Sequence, residues 1–168
     1  MNKMNKTMLG GLALAAAFLS GCSNAEYKPL DNSIYINGAA ADPLRIITVG
    51  DASSTTSILV RSAAPAKQTI TVNLAVQQSA LDAYNKRNDA NYVLLPAEFY
   101  TLSATSLKIE QGKVSTPELT VTIKPFTEEL SKSGKKYAIP LSITSVSGAD
   151  LSVLQGEKDF IIACDQVI

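Results

Sequence analysis

From Asn32 onward the chain keeps returning to a period of two. Ile34 and Ile36 flank Tyr35; Ile46, Ile47 and Val49 form an apolar run ending at Gly50-Asp51; Ile58 and Val60 follow a Ser/Thr tract. The clearest case sets Ile70, Val72, Leu74 and Val76 against Thr71, Asn73 and Ala75. Leu107 and Ile109 alternate with Lys108 and Glu110, and Leu119, Val121 and Ile123 with Thr120, Thr122 and Lys124. The last two runs place Tyr137, Ile139, Leu141 and Ile143, then Phe160, Ile162 and Cys164, on single faces. Alternation of this kind means one buried and one wetted face per strand. Eight such runs between Gly, Pro, Asn and Asp turns predict an all-β fold, an antiparallel sandwich of about 7–9 strands. Pro140 lies inside one run, which predicts an edge position or a bulge. The prolines and the Lys135-Lys136 pair guard exposed edges against pairing with another chain.

One segment follows a different rule. Ser79-Ala80-Leu81-Asp82 fits the S-x-x-D capping box, with Leu81 and Tyr84 three apart on one helical face. Lys86 and Arg87 suit a helix C-terminus, and Asn88 a left-handed stop. The spacing predicts a short helix over 79–88, packed across one end of the sandwich. The charged stretch from Phe126 to Lys136 reads as a solvated connection.

Ahead of the sandwich, Lys3 and Lys6 precede the apolar run Leu9–Phe18, which is too short to span a bilayer. Leu19-Ser20-Gly21-Cys22 then resembles the bacterial lipoprotein lipobox at all four positions. This predicts residues 1–21 as a signal peptide, Cys22 as the lipid attachment site, residues 22–31 as a lipidated tether, and 32–168 as one domain. Several acyl chains on one residue anchor far more firmly than one. The expected location is the outer membrane. Glu26 is the sole acidic residue close behind Cys22; in similar lipoproteins a denser acidic cluster directs surface display, so the periplasmic and surface leaflets both stay open.

Removing residues 1–21 from the 168 leaves 147, one ordinary domain that needs no disulfides to fold. The composition, 46% hydrophobic and 18% charged, is globular. With Lys3 and Lys6 in the leader, 13 basic residues face 15 acidic ones, so no basic field attracts nucleic acid. The chain has no His and no Trp. Ser-His-Asp and Cys-His catalysis, histidine-ligated zinc and an imidazole switch are thereby excluded within it. Lipidation of Cys22 leaves Cys164 alone, without a partner for a disulfide.

The remaining chemistry is sparse. Tyr84, Tyr92, Phe99 and Tyr100 would make either a sugar-stacking platform or, more in keeping with a domain of this size, helix face and core. Asn85, Asn88, Asp89 and Asn91 offer oxygen ligands at close spacing, but with one charge and no EF-type glycine or bidentate Glu they read as a turn. Glu128 and Glu129 are adjacent carboxylates in a charged loop, not a facing pair, and Ser131, Lys132 and Ser133 read as a polar connection. Cys164 reads as a small buried hydrophobe. No catalytic, metal or cofactor-binding residue is expected. The ligand-binding candidates are Asn88, Asp89, Tyr92 and Tyr100.

The order Leu81-Asp82-Ala83-Tyr84-Asn85, Tyr92-Val93-Leu94-Leu95-Pro96, Phe99-Tyr100-Thr101-Leu102-Ser103 carries a resemblance, continued by Leu107-Lys108-Ile109, Gly112 and Tyr137-Ala138-Ile139-Pro140-Leu141. It resembles the N-terminal domain of unknown function found in Bacteroidetes surface lipoproteins, over roughly Asn32 to Asp165. In that family the domain often precedes laminin-G-like, glycan-binding or family 18 glycoside hydrolase modules. The resemblance implies an immunoglobulin-like sandwich in a glycan-acquisition or adhesion lipoprotein, with no family catalytic residues to carry over. The chain reaches Ile168 without room for such a module, which leaves a domain acting alone or a piece of a longer product. The expected function is a non-enzymatic, lipid-anchored binding or adhesion module linked to glycan capture, with loops at one end presenting polar contacts. The alternative is a spacer or partner-recruiting subunit of an envelope complex. Cys22→Ala is expected to abolish incorporation of radiolabelled fatty acid; persistent labelling would remove the lipoprotein assignment.

Overall fold

A computed structural model describes residues 32–40, 42–148 and 150–166; the leader, Cys22 and the tether lie outside them. The elements run β1 (Ser33–Ile36), β2 (Leu44–Val49), β3 (Ser54–Ile58), β4 (Val60–Ser62), β5 (Ile70–Val76), α1 (Gln78–Asn88), β6 (Tyr92–Leu94), β7 (Tyr100–Leu102), β8 (Ser106–Ile109), β9 (Leu119–Ile123), α2 (Glu128–Lys132), β10 (Lys136–Ser147), β11 (Ser152–Val153) and β12 (Asp159–Gln166). One sheet has the order β2-β12-β10-β5-β8, with β6 also on β10. Two three-stranded sheets, β11-β1-β4 and β3-β9-β7, complete the sandwich. A single core cluster takes Ile34, Ile36 and Val60 from one small sheet and Ile58, Leu119, Val121 and Ile123 from the other. It packs them with Ile70, Val72, Leu74, Ile139, Leu141, Phe160 and Ile162 of the large sheet.

The predicted sandwich is present, and every alternating run is strand. The Ile58/Val60 run parts at Leu59 into β3 and β4, which belong to different sheets. Three further strands, β6, β7 and β11, are three, three and two residues long, too short to display a period. The pairing is mixed where an antiparallel sandwich was expected. β1 with β11, β10 with β6 and β12 with β2 are parallel.

Pro140 belongs to a central strand, not an edge. On one side β10 pairs with β12 throughout Tyr137–Ser142; on the other, β6 pairs with Lys136–Ala138 and β5 with Leu141–Ser147. Pro140 falls where those two partners meet. Its carbonyl accepts the Gln77 N–H at 3.0 Å there, and the missing N–H of proline faces the same junction, so no ladder bond is lost. The bulge of β10 comes later, between Ile143 and Ser145.

Helix α1 covers the outer face of the large sheet rather than one end of the sandwich. Leu81 and Tyr84 bury against Ala138 of β10 and Ile161 of β12, with Leu44, Tyr92 and Leu94 around them. Both faces of the sheet centre are therefore dry. The capping box does not form: the N-cap is Gln77, whose side chain makes no capping bond, and Ser79 lies inside the first turn. Gln78 instead donates to Asp82 at 2.8 Å. The left-handed stop is Asp89 (φ 49°, ψ 41°), one residue beyond Asn88. The Phe126–Lys136 connection contains α2. Thr127 caps it, its hydroxyl accepting the Leu130 N–H, while Ser131 and Ser133 bond back to the Thr127 and Leu130 carbonyls.

Arg45 ties the layers together. Its guanidinium donates to the Thr56 hydroxyl at 3.0 Å and the Ser57 carbonyl at 2.6 Å across the sandwich, and stands 5.2 Å from the Phe160 ring centroid. Charge-assisted bonds and a cation–π contact offset the cost of partly burying it.

Cys164 faces the core beside Phe160 and Ile162, 6% exposed. Burial, with Asp165 adding a like-charge push, raises its thiol from the ordinary 9.0 to about 12. The unfolded thiol ionises near its ordinary value while the buried one keeps its proton. The folded state therefore binds more protons in that window, and stability falls as pH rises from 9 toward 12. Relative to Cys164→Ala, the wild-type chain is expected to lose stability above pH 9, by up to about 1.4 kcal/mol per pH unit, read from urea midpoints across the range. A second prediction concerns Gly148, which follows β10 at φ +103°; a Cβ there would collide with the Thr69 carbonyl oxygen. Gly148→Ala is expected to cost more than about 1 kcal/mol, as a lower urea midpoint at unchanged slope.

Candidate functional site

The outer face of the large sheet is where the fold leaves polar concavities. One of about 360 Å³ lies between the C-terminal half of α1 and residues 39–40 and 42–43, lined by Asp42, Tyr84, Arg87, Asn88 and Gly156. Helical spacing places Tyr84, Arg87 and Asn88 together on one side of α1. Tyr84 is the floor: only 7% exposed, it packs against Tyr92 with ring centroids 6.2 Å apart. Arg87 lies over it, its guanidinium 5.9 Å from the ring centroid. Burial raises the Tyr84 hydroxyl's pKa; the nearby Asp42 carboxylate and Tyr92 push the same way, and Arg87 opposes them.

Asp42 enters this cleft from the opposite wall. One of its carboxylate oxygens accepts the Leu44 N–H at 3.2 Å. Among the described residues the sole ion pair joins Lys132 to Glu128, so Asp42 and Arg87 face one cleft without neutralising each other. A carboxylate that accepts, a guanidinium that donates and an amide that does both give a surface able to read hydroxyl groups.

A second concavity, about 470 Å³, lies beside the N-terminal half of α1, among Gln77, Ser79, Ala83, Thr144, Lys158 and Asp159. Ser142 stands in its wall, its hydroxyl donating to Asp159 at 2.6 Å. A third, about 420 Å³ and more apolar, sits where the chain enters the domain, among Asn32, Pro65, Ala66, Ile70 and Leu151. Among the described residues no group of three or more acidic or Cys side chains is placed to hold a metal ion, and no buried side-chain N or O lacks a partner.

The four sequence candidates are not brought together. Asn88 lines the first cleft, its amide held by the Tyr84 carbonyl at 2.9 Å. Asp89 caps α1, its N–H bonded to the Asn85 carbonyl. Tyr92 is packed beneath Tyr84, and Asn85 grips its backbone with two bonds of 2.8 and 3.1 Å. Tyr100 belongs to β7 in the opposite layer, where burial raises its hydroxyl's pKa. The Asn-rich segment is thus a turn whose Asn85 fastens β6 to the helix. The aromatics are packing groups: Phe126 makes edge contacts to Phe99 and Tyr137, at 6.2 and 5.7 Å. Glu128 and Glu129 open the first turn of α2, with Glu128 paired to Lys132. Asp42 and Arg87 were missed as site residues, because nothing in the sequence links a loop at 42 to a helix end at 87.

No curated protein sequence matches the chain. Among solved structures, a candidate carbohydrate binding protein from Bacteroides ovatus superposes at TM-score 0.64 with 22% identity, over 81% of this chain and 37% of that one. EndoBT-3987 of Bacteroides thetaiotaomicron, solved with Man5GlcNAc product, gives 0.64 and 18%, over 79% of this chain and 30% of that one. A two-domain protein of unknown function from Bacteroides fragilis gives 0.63 and 17%, over 83% and 47%. The chain spans about a third to a half of the length of these relatives, and the likeness is one of fold. Residues 30–150 match a family model described as "-like, N-terminal domain", and the chain belongs to that family of N-terminal β-sandwich modules.

Proposed function

We propose that this protein is a non-catalytic glycan-binding module, held at the outer membrane through lipid on Cys22, and that the cleft between α1 and residues 39–40 and 42–43 takes the sugar. The observation that carries the reading is the unpaired placement of Asp42 and Arg87 about Tyr84. Vicinal sugar hydroxyls donate to a carboxylate and accept from a guanidinium at once, which suits a neutral glycan better than a charged one. The Bacteroides ovatus neighbour, described as a candidate carbohydrate binding protein, supports the same class of ligand. Glycoside hydrolysis uses two carboxylates facing the scissile bond, and among the described residues Asp42 is the one carboxylate lining this cleft.

A second reading, a spacer or partner-presenting subunit, is favoured by where the chain enters and leaves. Asn32 shares a cleft with Ile70 and Asp150, near the Ser147 end of β10, whereas Cys164 pairs with Tyr137 at the other end. The two poles are separated by the length of β10, roughly 36 Å.

Affinity electrophoresis of the detergent-solubilised chain through gels of neutral polysaccharides separates the two. Retardation by one polymer is expected, with Asp42→Ala and Arg87→Ala each weakening it at least about tenfold, the worth of one hydrogen bond to a charged group. An unretarded chain that co-purifies with an envelope protein would favour the spacer instead.

A further inference from the structure

We infer that the sugar site is one end of a continuous groove along α1, so that the ligand is the interior of a linear glycan chain and not a terminal monosaccharide; this rests on the glycan-binding reading above. The two polar concavities beside α1 have separate linings, but both draw on successive turns of the same helix and on the same stretch ahead of and into β12. Ala83 lines one and Tyr84 and Arg87 line the other, with Ala80 completing a stripe at positions 80, 83, 84 and 87 that a helix presents on one side. Facing it, Gly156 lines the first concavity, and Lys158, just ahead of β12, and Asp159, its first residue, line the second. The helix from Ser79 to Asn88 thus forms one bank over about 14 Å. The β11–β12 turn with residues 39–40 and 42–43 forms the other.

The lining suits a chain of hydroxyl-bearing units. Gln77, Ser79, Thr144 and Lys158 continue the donors and acceptors begun by Asp42, Arg87 and Asn88. Ala83, between the two halves, is exposed and small, so its own side chain raises no barrier there. The floor is fixed: Ser142 and Asp159 are bonded to each other, and Tyr84 is locked against Tyr92. Little ordering of protein groups is then needed on binding, which favours affinity from many modest contacts.

The test uses the detergent-solubilised chain with yeast mannan, xylan and starch, and the disaccharide and hexasaccharide of each, followed by calorimetry. For a polymer that binds, the hexasaccharide is expected to bind at least about tenfold more tightly than the disaccharide. Ala83→Trp, which fills the middle of the trough, should remove that advantage with the melting temperature unchanged. Lys158→Ala, which perturbs no helix position, should lower hexasaccharide affinity alone. Equal affinity for the two lengths, or an unaltered hexasaccharide affinity in both variants, overturns the groove and leaves the glycan reading in place. Absence of binding to all three polymers removes both.

Discussion

The run Tyr137–Ile143 of β10 is buried at every position, and Phe160–Cys164 of β12 likewise. A strand exposed to water on one side would need polar residues at alternate positions; these two carry Ala138, Pro140, Ile161 and Ala163 there instead. Something apolar must cover that outer face, and α1 does so by laying Leu81 and Tyr84 on Ala138 and Ile161. Fully burying residues of this size is worth about 1.5–3 kcal/mol each, which outweighs an N-terminus that no side chain caps. The position of α1 follows from that one requirement, and with it the polar concavities along the helix.

The same constraint explains how α1 is held. Packing alone leaves a helix free to slide along an apolar strip, so directional bonds must fix its register. The Pro140 carbonyl accepts the Gln77 N–H at one end of the helix, and Asn85 clasps Tyr92 near the other, drawing β6 beside β10. β6 then continues the anchorage through the Leu95 N–H to the Ala138 carbonyl at 2.9 Å. Proline at position 140 is thus compatible with a central strand because its bare nitrogen faces the one point on that edge where neither neighbour needs a donor. With the helix pinned at both ends, Arg87 and Asn88 are presented to Asp42 at fixed positions.

Strands with one wet face announced themselves in the sequence, because β5, β8 and β9 alternate strictly and their polar residues stay accessible. The contiguous run Phe160-Ile161-Ile162-Ala163-Cys164 also held the information for two-sided burial, but reading it as alternation left the cover over Ile161 and Ala163 unlooked for. The short strands β6, β7 and β11 carry too few residues to declare a period; they are strands because their neighbours are. Ser79 and Asp82 matched a capping pattern, yet tertiary packing began the helix at Gln78, with the side chain of Gln78 taking Asp82 for itself. At the candidate site, Asn88 was legible from its turn-rich setting. Asp42 was not, since its meeting with Arg87 depends on the parallel β2–β12 pairing that carries residues 42–43 to the helix.

A site on the side of the domain has a mechanical consequence that loops at one end would not. The chain enters near the Ser147 end of β10 and its last described strand closes near Tyr137, so any pull through the two ends runs along the sheet. The two polar concavities beside α1 are set against the flank of that axis, bounded by α1 and the stretch leading into β12 rather than by the entry or exit of the domain. A ligand lying there occludes neither pole. A tether at the N-terminal pole and a polymer in the proposed groove would therefore not compete, and such a polymer would cross the domain without ending in it. Binding and spacing, which the two functional readings set against each other, are geometrically compatible in one module: the flank offers polar contacts while β10 sets the distance between the poles.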